Sequence, residues 1–288
     1  MAKGKVGIVT DSVCDLPQNL IGKLDIDVIY FLVETDSGVF TDTKEISSDN
    51  ILQYIQEGGD KCKSSEPSPE VYRHIFQKKL ESYEEVLHIS ISSGASNSHS
   101  TAKKAISTLG INEKRVYSFD SAHLSTGMGY LVIRAAEMAK EGADMREILV
   151  ELRNMRERVS TTFITENVDF LYRSGKVSEK VKTLCDRFSV HPVLVMKDGK
   201  LTLKSVEWGN YERACKRYLH KELKKTSQID KTRIFITHSG CPVKMVNWIK
   251  DEVVRHCDAK EILVTRASAA VSSNCGPNAF GVLLMKKQ

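Results

Sequence analysis

Three hydroxyl-rich turns in the first half of the chain hold the residues whose types and spacing could do chemistry. They are Thr10-Asp11-Ser12, Ser92-Ser93-Gly94, and Asp120-Ser121 followed by Ser125-Thr126-Gly127. Each follows a run with strand character and precedes a stretch with helical character. The second is the densest. The stretch "VLHISISSGASNSHSTAKKA" passes from strand into hydroxyls and meets no lysine or arginine until Lys103. A further pair, Ser64-Ser65, precedes another expected helix. In open parallel sheets, turns at the carboxyl ends of strands line the ligand crevice. A helix start also offers free backbone N–H groups and a positive dipole end to an anion. The same hydroxyls would serve equally as helix caps. Capping for any one turn and a shared anion site for the set both remain open at this point.

The motifs that would specify other chemistries are missing. There is no GxxxxGK[ST] phosphate loop. "GMGYLV" supplies two glycines of a GxGxxG fingerprint, but inside a helical stretch. The nucleophile elbow GxSxG is absent. Ser93 has no assignable general base: His88 falls in the preceding strand and His99 on the following helix, where each reads as a packing or surface histidine. The seven cysteines include no CxxC pair, and no His/Cys set has metal-ligand spacing. No metal is expected. A set of neutral donors suits one small anion, such as a carboxylate, better than a multiply charged phosphate.

The elements that must position these turns alternate regularly. "KVGIVTDS", "IDVIYFLVET", "EEVLHISI" and "KRVYSFD" read as strands. "DLPQNLIGKL", "SSDNILQYIQEG" (capped by Ser48 or Asp49), "SPEVYRHIFQKKLESY", "SHSTAKKAISTLG" and "STGMGYLVIRAAEMAKEG" read as helices. A further helix runs from about Met145 to Val159. Such alternation predicts a parallel sheet covered on both faces. After it come a strand "TTFITE", a short helix "VDFLYRSGKVS" and a hairpin "HPVLVMKDGKLTLKSVEWG" turning at Asp198-Gly199. Helices "YERACKRYLHKELKK" and "PVKMVNWIKDEVVRHC" alternate with strands "TRIFITHSG", "EILVTRA" and "AFGVLLMKK". The expectation is an α/β protein of two domains. Residues 1–159 form an N-terminal three-layer α/β/α domain with a parallel sheet, and residues 160–288 a C-terminal α/β domain with a mixed sheet.

Length and composition fit that reading. The chain has 288 residues, 41% hydrophobic and 27% charged, which is ordinary for a folded soluble protein. Its densest apolar run, residues 28–33, falls far short of the ~20 residues that span a bilayer, so no stable membrane insertion is expected. A cytoplasmic location with free thiols is expected. Charge is uneven: residues 1–150 carry 16 basic and 22 acidic side chains (net −6), and residues 151–288 carry 26 and 15 (net +11). A basic half raises a nucleic-acid-binding regulator as one alternative. The basic helix 211–225 lacks the interleaved aromatics that stack on bases, so no nucleic-acid partner is expected.

The motifs in order resemble one family. "IVTDSVCDLP" is similar to the TDSxxDLP opening of the DegV family, "KSSEPSP" to its TSQPSP segment, and "ISISSGASNSHSTA" to its ISSGLSGTYxSA segment. "FDSAHLSTGMG", "VDFLYRSGKV", "HPVLVMKDGKL" and "NCGPNAFGV" resemble its DSxxxSxGxG, FLxRGGRI, KPILxxxDGxL and HTGPGAxGV stretches. The resemblance implies a two-domain fold with a long-chain fatty acid buried at the domain junction, and no other cofactor. It implies a carrier, not an independent enzyme, that presents the acid to a separate fatty-acid kinase subunit for phospholipid synthesis. By position, Ser64 and Ser93 would bind the carboxylate, with Ser65, Ser92, Arg173, Lys176 and Asn274 as accessory residues of the head group and junction. This chain departs from the family pattern at Asn274 (His), Asn278 (Gly), Lys176 (Arg) and Glu66 (Gln). Asn274 cannot carry a proton charge, and Lys176 lacks the bidentate fork. A serine-dependent acyl hydrolase or transferase using Ser93 is the enzymatic alternative.

Overall fold

In the computed structural model, residues 3–59, 62–166, 168–173, 178–188, 190–224 and 226–287 are described. The chain falls into two compact units. One holds residues 1–32, 65–158 and 198–200; the other holds 33–64, 159–197 and 201–288. Segment 33–64 goes with the second unit, and the hairpin turn 198–200 with the first.

The first unit is built on four parallel strands in the order Ile26–Ile29, Gly4–Asp11, Tyr83–Ser90, Val116–Asp120. Its central strands carry apolar runs where they are covered on both faces. Val6 through Asp11 are all buried. On one face Val9, Val86 and Val116 pack under Tyr72, Phe76 and Leu80 of helix Pro69–Ser82 and under Ala102 and Ala105 of helix Ser98–Ser107. Helix Ser125–Lys140 covers the sheet from the other side and packs in turn on Met145–Arg156. The register pairs Thr10 with Ile89 and Ser90 with Asp120. The carboxyl ends of the three strands therefore lie side by side, and the hydroxyl-rich turns leave the sheet together.

The stretch "IDVIYFLVET" is two strands. Ile26–Ile29 joins the parallel sheet, whereas Leu32–Thr35 pairs with Gly38–Thr41 and Lys63–Ser65 in a separate three-stranded sheet. Between them the Phe31 N–H leaves the ladder and donates to Ser12 Oγ at 3.1 Å.

The second unit carries a mixed sheet in the order Lys200–Trp208, Val190–Lys197, Thr162–Ile164, Ala279–Met285, Arg233–Ser239, Glu261–Arg266, with Val159–Ser160 beside Ala279–Met285. Arg233–Ser239 and Glu261–Arg266 run parallel. The hairpin turns as expected through Asp198 and Gly199, both left-handed at φ 50° and 72°. Helices Tyr211–Leu223 and Val243–His256 bury Tyr218, Leu219, Ile249 and Val253 against Ile234, Ile236 and Val282. Segment 33–64 is fastened to helix Ala269–Cys275, which the sequence reading did not anticipate. Ser48 Oγ and Ser272 Oγ are 2.7 Å apart, and the Asp42 carboxylate accepts from the Ala270 N–H at 3.2 Å. The cap of helix Ser48–Gln56 is Ser47, one residue before the expected position, in a reciprocal box with Asn50. No helix of the described residues is long and apolar enough to cross a membrane, and those residues hold no metal-ligand cluster.

Candidate functional site

In the first unit none of the helices that follow the hydroxyl-rich turns receives a side-chain bond from its N-cap residue; Asn97 and Leu124 stand at the cap positions without one, and Ser96 Oγ accepts the Ser98 N–H at 3.2 Å from one residue further out. Four seryl hydroxyls are bound to carboxylates. Ser98 Oγ donates to Asp11 Oδ2 at 2.7 Å, Ser96 Oγ to Glu66 Oε2 at 2.8 Å and Ser125 Oγ to Asp15 Oδ2 at 2.5 Å. Ser93 Oγ donates to Asp120 Oδ2. The unit's own acidic side chains thus stand behind these hydroxyls.

Ser93 is exposed at the start of its loop. Asp120, the last residue of its strand, holds it in two places. Asp120 Oδ1 accepts from the Ser93 N–H at 3.2 Å and from the Ala122 N–H at 2.8 Å, while Oδ2 takes the hydroxyl. Ser92 is buried and committed elsewhere. Its Oγ donates to the Gly199 carbonyl at 2.5 Å and accepts from the Gly94 N–H at 3.2 Å. Gly94 is required in this loop, because a Cβ there would stand 2.3 Å from the Gly199 carbonyl oxygen.

The two nearby histidines are turned away from Ser93. His88 is fully buried against the rings of Tyr72 and Phe76. Its Nε2 lies 3.1 Å from Asp11 Oδ1 and its Nδ1 3.1 Å from Ser118 Oγ. His99 Nδ1 lies 3.0 Å from the same Ser118 hydroxyl. Burial, with Lys103 beside it, holds the His99 pKa below the usual histidine range. The side chain that meets Ser93 Oγ is therefore a carboxylate, Asp120, and not a histidine.

In the second unit Ser64 lies half-buried in strand Lys63–Ser65. Asn274, from helix Ala269–Cys275, donates Nδ2 to Ser64 Oγ at 2.9 Å and to the Ala270 carbonyl at 2.7 Å. Ser64 Oγ thus accepts an N–H, and its own proton has no acceptor among the described residues. This polarity is the reverse of that at Ser93. Ser65 is exposed at the end of the same strand. Of Arg173 only the backbone is described, ending helix Asp169–Arg173, and Lys176 lies outside the described residues.

The loop after Asn274 is shaped by backbone conformation. Gly276 sits at φ 74°, and a Cβ there would stand 2.3 Å from the Phe170 ring. Asn278 adopts φ 61° and donates Nδ2 to Glu166 Oε2 at 2.7 Å. Asparagine is the residue other than glycine that best tolerates this conformation, and it gains a bond that glycine cannot make.

A family model described as an uncharacterised protein of the DegV family matches residues 5–287. The chain belongs to the DegV family. A DegV domain-containing protein of Caldanaerobacter subterraneus subsp. tengcongensis is 26% identical over 291 residues, covering 98% of this chain and 99% of that one. Among solved DegV structures, a Thermus thermophilus protein described by its fatty-acid binding superposes with a TM-score of 0.86 at 27% identity, over 98% of this chain and 100% of that one. The fold is also that of the Streptococcus pneumoniae fatty acid kinase (Fak) B3 protein loaded with linoleic acid, with a TM-score of 0.83 at 17% identity, covering 98% of this chain and 100% of that one.

Proposed function

We propose that this chain is a carrier that binds a long-chain fatty acid, with Ser93 and Ser64 donating to its carboxylate, and presents the acid to a separate fatty-acid kinase. The observation that carries the ligand class is the match along nearly the whole chain to the fatty-acid-binding Thermus protein. Ser64 supports the head-group assignment: Asn274 feeds its oxygen and leaves its proton to give away. The kinase partner is the finer step. It rests on the family motifs and on the naming of the S. pneumoniae relative as a fatty acid kinase protein.

The energetics suit a carrier. Burying ~14 methylenes at ~0.8 kcal/mol each gives about 11 kcal/mol before association costs of ~4–15 kcal/mol. The tail supplies affinity, and the hydroxyls keep the carboxylate from being buried unpaired. The Ser93–Asp120 contact is the one feature favouring a hydrolase. Against it, both neighbouring imidazoles are engaged with Ser118.

Mass spectrometry of the denatured purified protein should find a co-purified fatty acid. Binding of palmitic acid and of its methyl ester should then be measured on wild type, Ser93→Ala and Ser64→Ala. Loss of a charge-assisted bond worth ~1.5–3 kcal/mol lowers acid affinity about ten- to a hundredfold. The ester should lose less. Equal losses for acid and ester would sink the carboxylate role. A protein that is ligand-free and fails to take up added acid would sink the carrier reading, and ester turnover abolished by Ser93→Ala would replace it with the hydrolase.

A further inference from the structure

The loop that carries Ser93 leaves the sheet at Ile91 and re-enters regular structure at Ser98, the first residue of helix Ser98–Ser107. Both ends are held by one oxygen. Asp11 Oδ2 accepts from the Ile91 N–H at 2.8 Å and from Ser98 Oγ at 2.7 Å. Asp11 is fully buried, at the end of the neighbouring strand Gly4–Asp11. Its other oxygen accepts from His88 Nε2 at 3.1 Å. A carboxylate only accepts, so Nε2 of His88 carries a hydrogen whichever way the Ser118 hydroxyl points. Tyr72 closes the arrangement from helix Pro69–Ser82, donating its hydroxyl to Ser98 Oγ at 3.0 Å.

We propose that Asp11 is the positioning residue for Ser93: a single buried carboxylate, oriented by His88, clamps residues 91 and 98 and so fixes the loop between them. This rests on the reading of Ser93 as a carboxylate ligand. The assignment explains a buried acid whose hydrogen bonds among the described residues go to His88, Ile91 and Ser98, at the sheet end and the loop it closes. Buried hydrogen bonds to a charged acceptor are about twice as strong as neutral ones, and each left unmade carries a desolvation cost.

The test uses Asp11→Asn and Ser98→Ala, alone and combined with Ser93→Ala. Ser98→Ala removes one arm of the clamp and leaves the carboxylate with His88 and Ile91, so it keeps the test open should Asp11→Asn fail to fold. Each variant should raise the dissociation constant for palmitic acid about tenfold, and should add less than about twofold when Ser93 is already alanine. Amide hydrogen exchange at Ile91 should quicken at least tenfold in ligand-free Asp11→Asn. In Asp11→Asn the Nε2–H resonance of His88 should shift or vanish, because the amide now presents a donor or a neutral oxygen to it. A full tenfold loss persisting in the Ser93→Ala background would overturn the proposal, since the effect would then not pass through Ser93. Unchanged exchange at Ile91 would overturn it as well. If Ser93→Ala itself leaves acid binding untouched, the carboxylate reading of Ser93 fails, and exchange at Ile91 still decides whether Asp11 holds the loop.

Discussion

Asp120→Asn should make this protein bind fatty acid more tightly, although it removes a charge from a polar site. In wild type the Ser93 proton is given to Asp120. To serve a ligand carboxylate, that hydroxyl must leave one carboxylate for another, and the two like charges must then face each other about one hydroxyl apart. Two unit charges ~5 Å apart repel by ~0.8 kcal/mol in a water-like medium and ~3 kcal/mol at an effective dielectric constant of ~20. Asp120 is half-buried, so a value near 1–2 kcal/mol is expected. An asparagine keeps an oxygen for the Ser93 and Ala122 N–H groups and turns its amide N–H toward Ser93 Oγ. That would reproduce the polarity seen at Ser64, where Asn274 donates and the seryl proton is left over. The expected gain in palmitic acid affinity is about five- to thirtyfold, largest at low ionic strength. Methyl palmitate should change less than about twofold. Titration calorimetry on both ligands in 20 mM and 500 mM salt reads all of this. Unchanged or weaker acid binding by Asp120→Asn would refute both the repulsion and the placement of the ligand carboxylate at Ser93.

Two further outcomes concern stability. Burial lowers the pKa values of His99, His123 and His238, helped at His238 by Arg266. The folded chain therefore resists protons that the unfolded chain accepts near pH ~6.5. Stability should be full above that pH and fall progressively below it; melting temperatures at pH 7.5 and 5.5 check the sign, and His123→Gln should flatten the slope. Gly276→Ala should lower the melting temperature by several degrees, because it combines a strained φ of 74° with a Cβ set 2.3 Å from the Phe170 ring. Gly22→Ala, in helix Gln18–Lys23 with nothing within 4 Å of the new methyl, should leave it equal or raise it; equal losses at the two glycines would show that local backbone geometry is not the cause.

The parallel sheet was legible because its strands are buried on both faces, and runs such as Val6–Asp11 and Val86–Ser90 need no partner to be recognised. The stretch "IDVIYFLVET" misled because its apolar run hides the point, at Phe31, where the backbone turns to a seryl oxygen. Helix Ala269–Cys275 escaped notice because seven residues rich in serine and alanine show no clear apolar period. The candidate hydroxyls were legible from residue type; their hydrogen-bond polarity was not. Whether a serine gives or takes depends on a partner 27 residues away for Ser93 and 210 away for Ser64. One of the two was within reach: adjacent parallel strands ending at Ser90 and Asp120 put an acid beside whatever follows Ser90.

The allegiance of segment 33–64 sets a timetable for synthesis. Its fastenings, Asp42 to Ala270 and Ser48 to Ser272, span 228 and 224 residues. At ~5–20 residues per second, this stretch leaves the ribosome about 10–45 seconds before the helix that it must grip exists. The strands Gly4–Asp11, Tyr83–Ser90 and Val116–Asp120 meanwhile all emerge early and can pair. A nascent chain arrested anywhere between residues 160 and 265 should therefore hold an assembled parallel sheet with a protease-sensitive strip at 33–64, and that strip should become protected only once the last two dozen residues have been made.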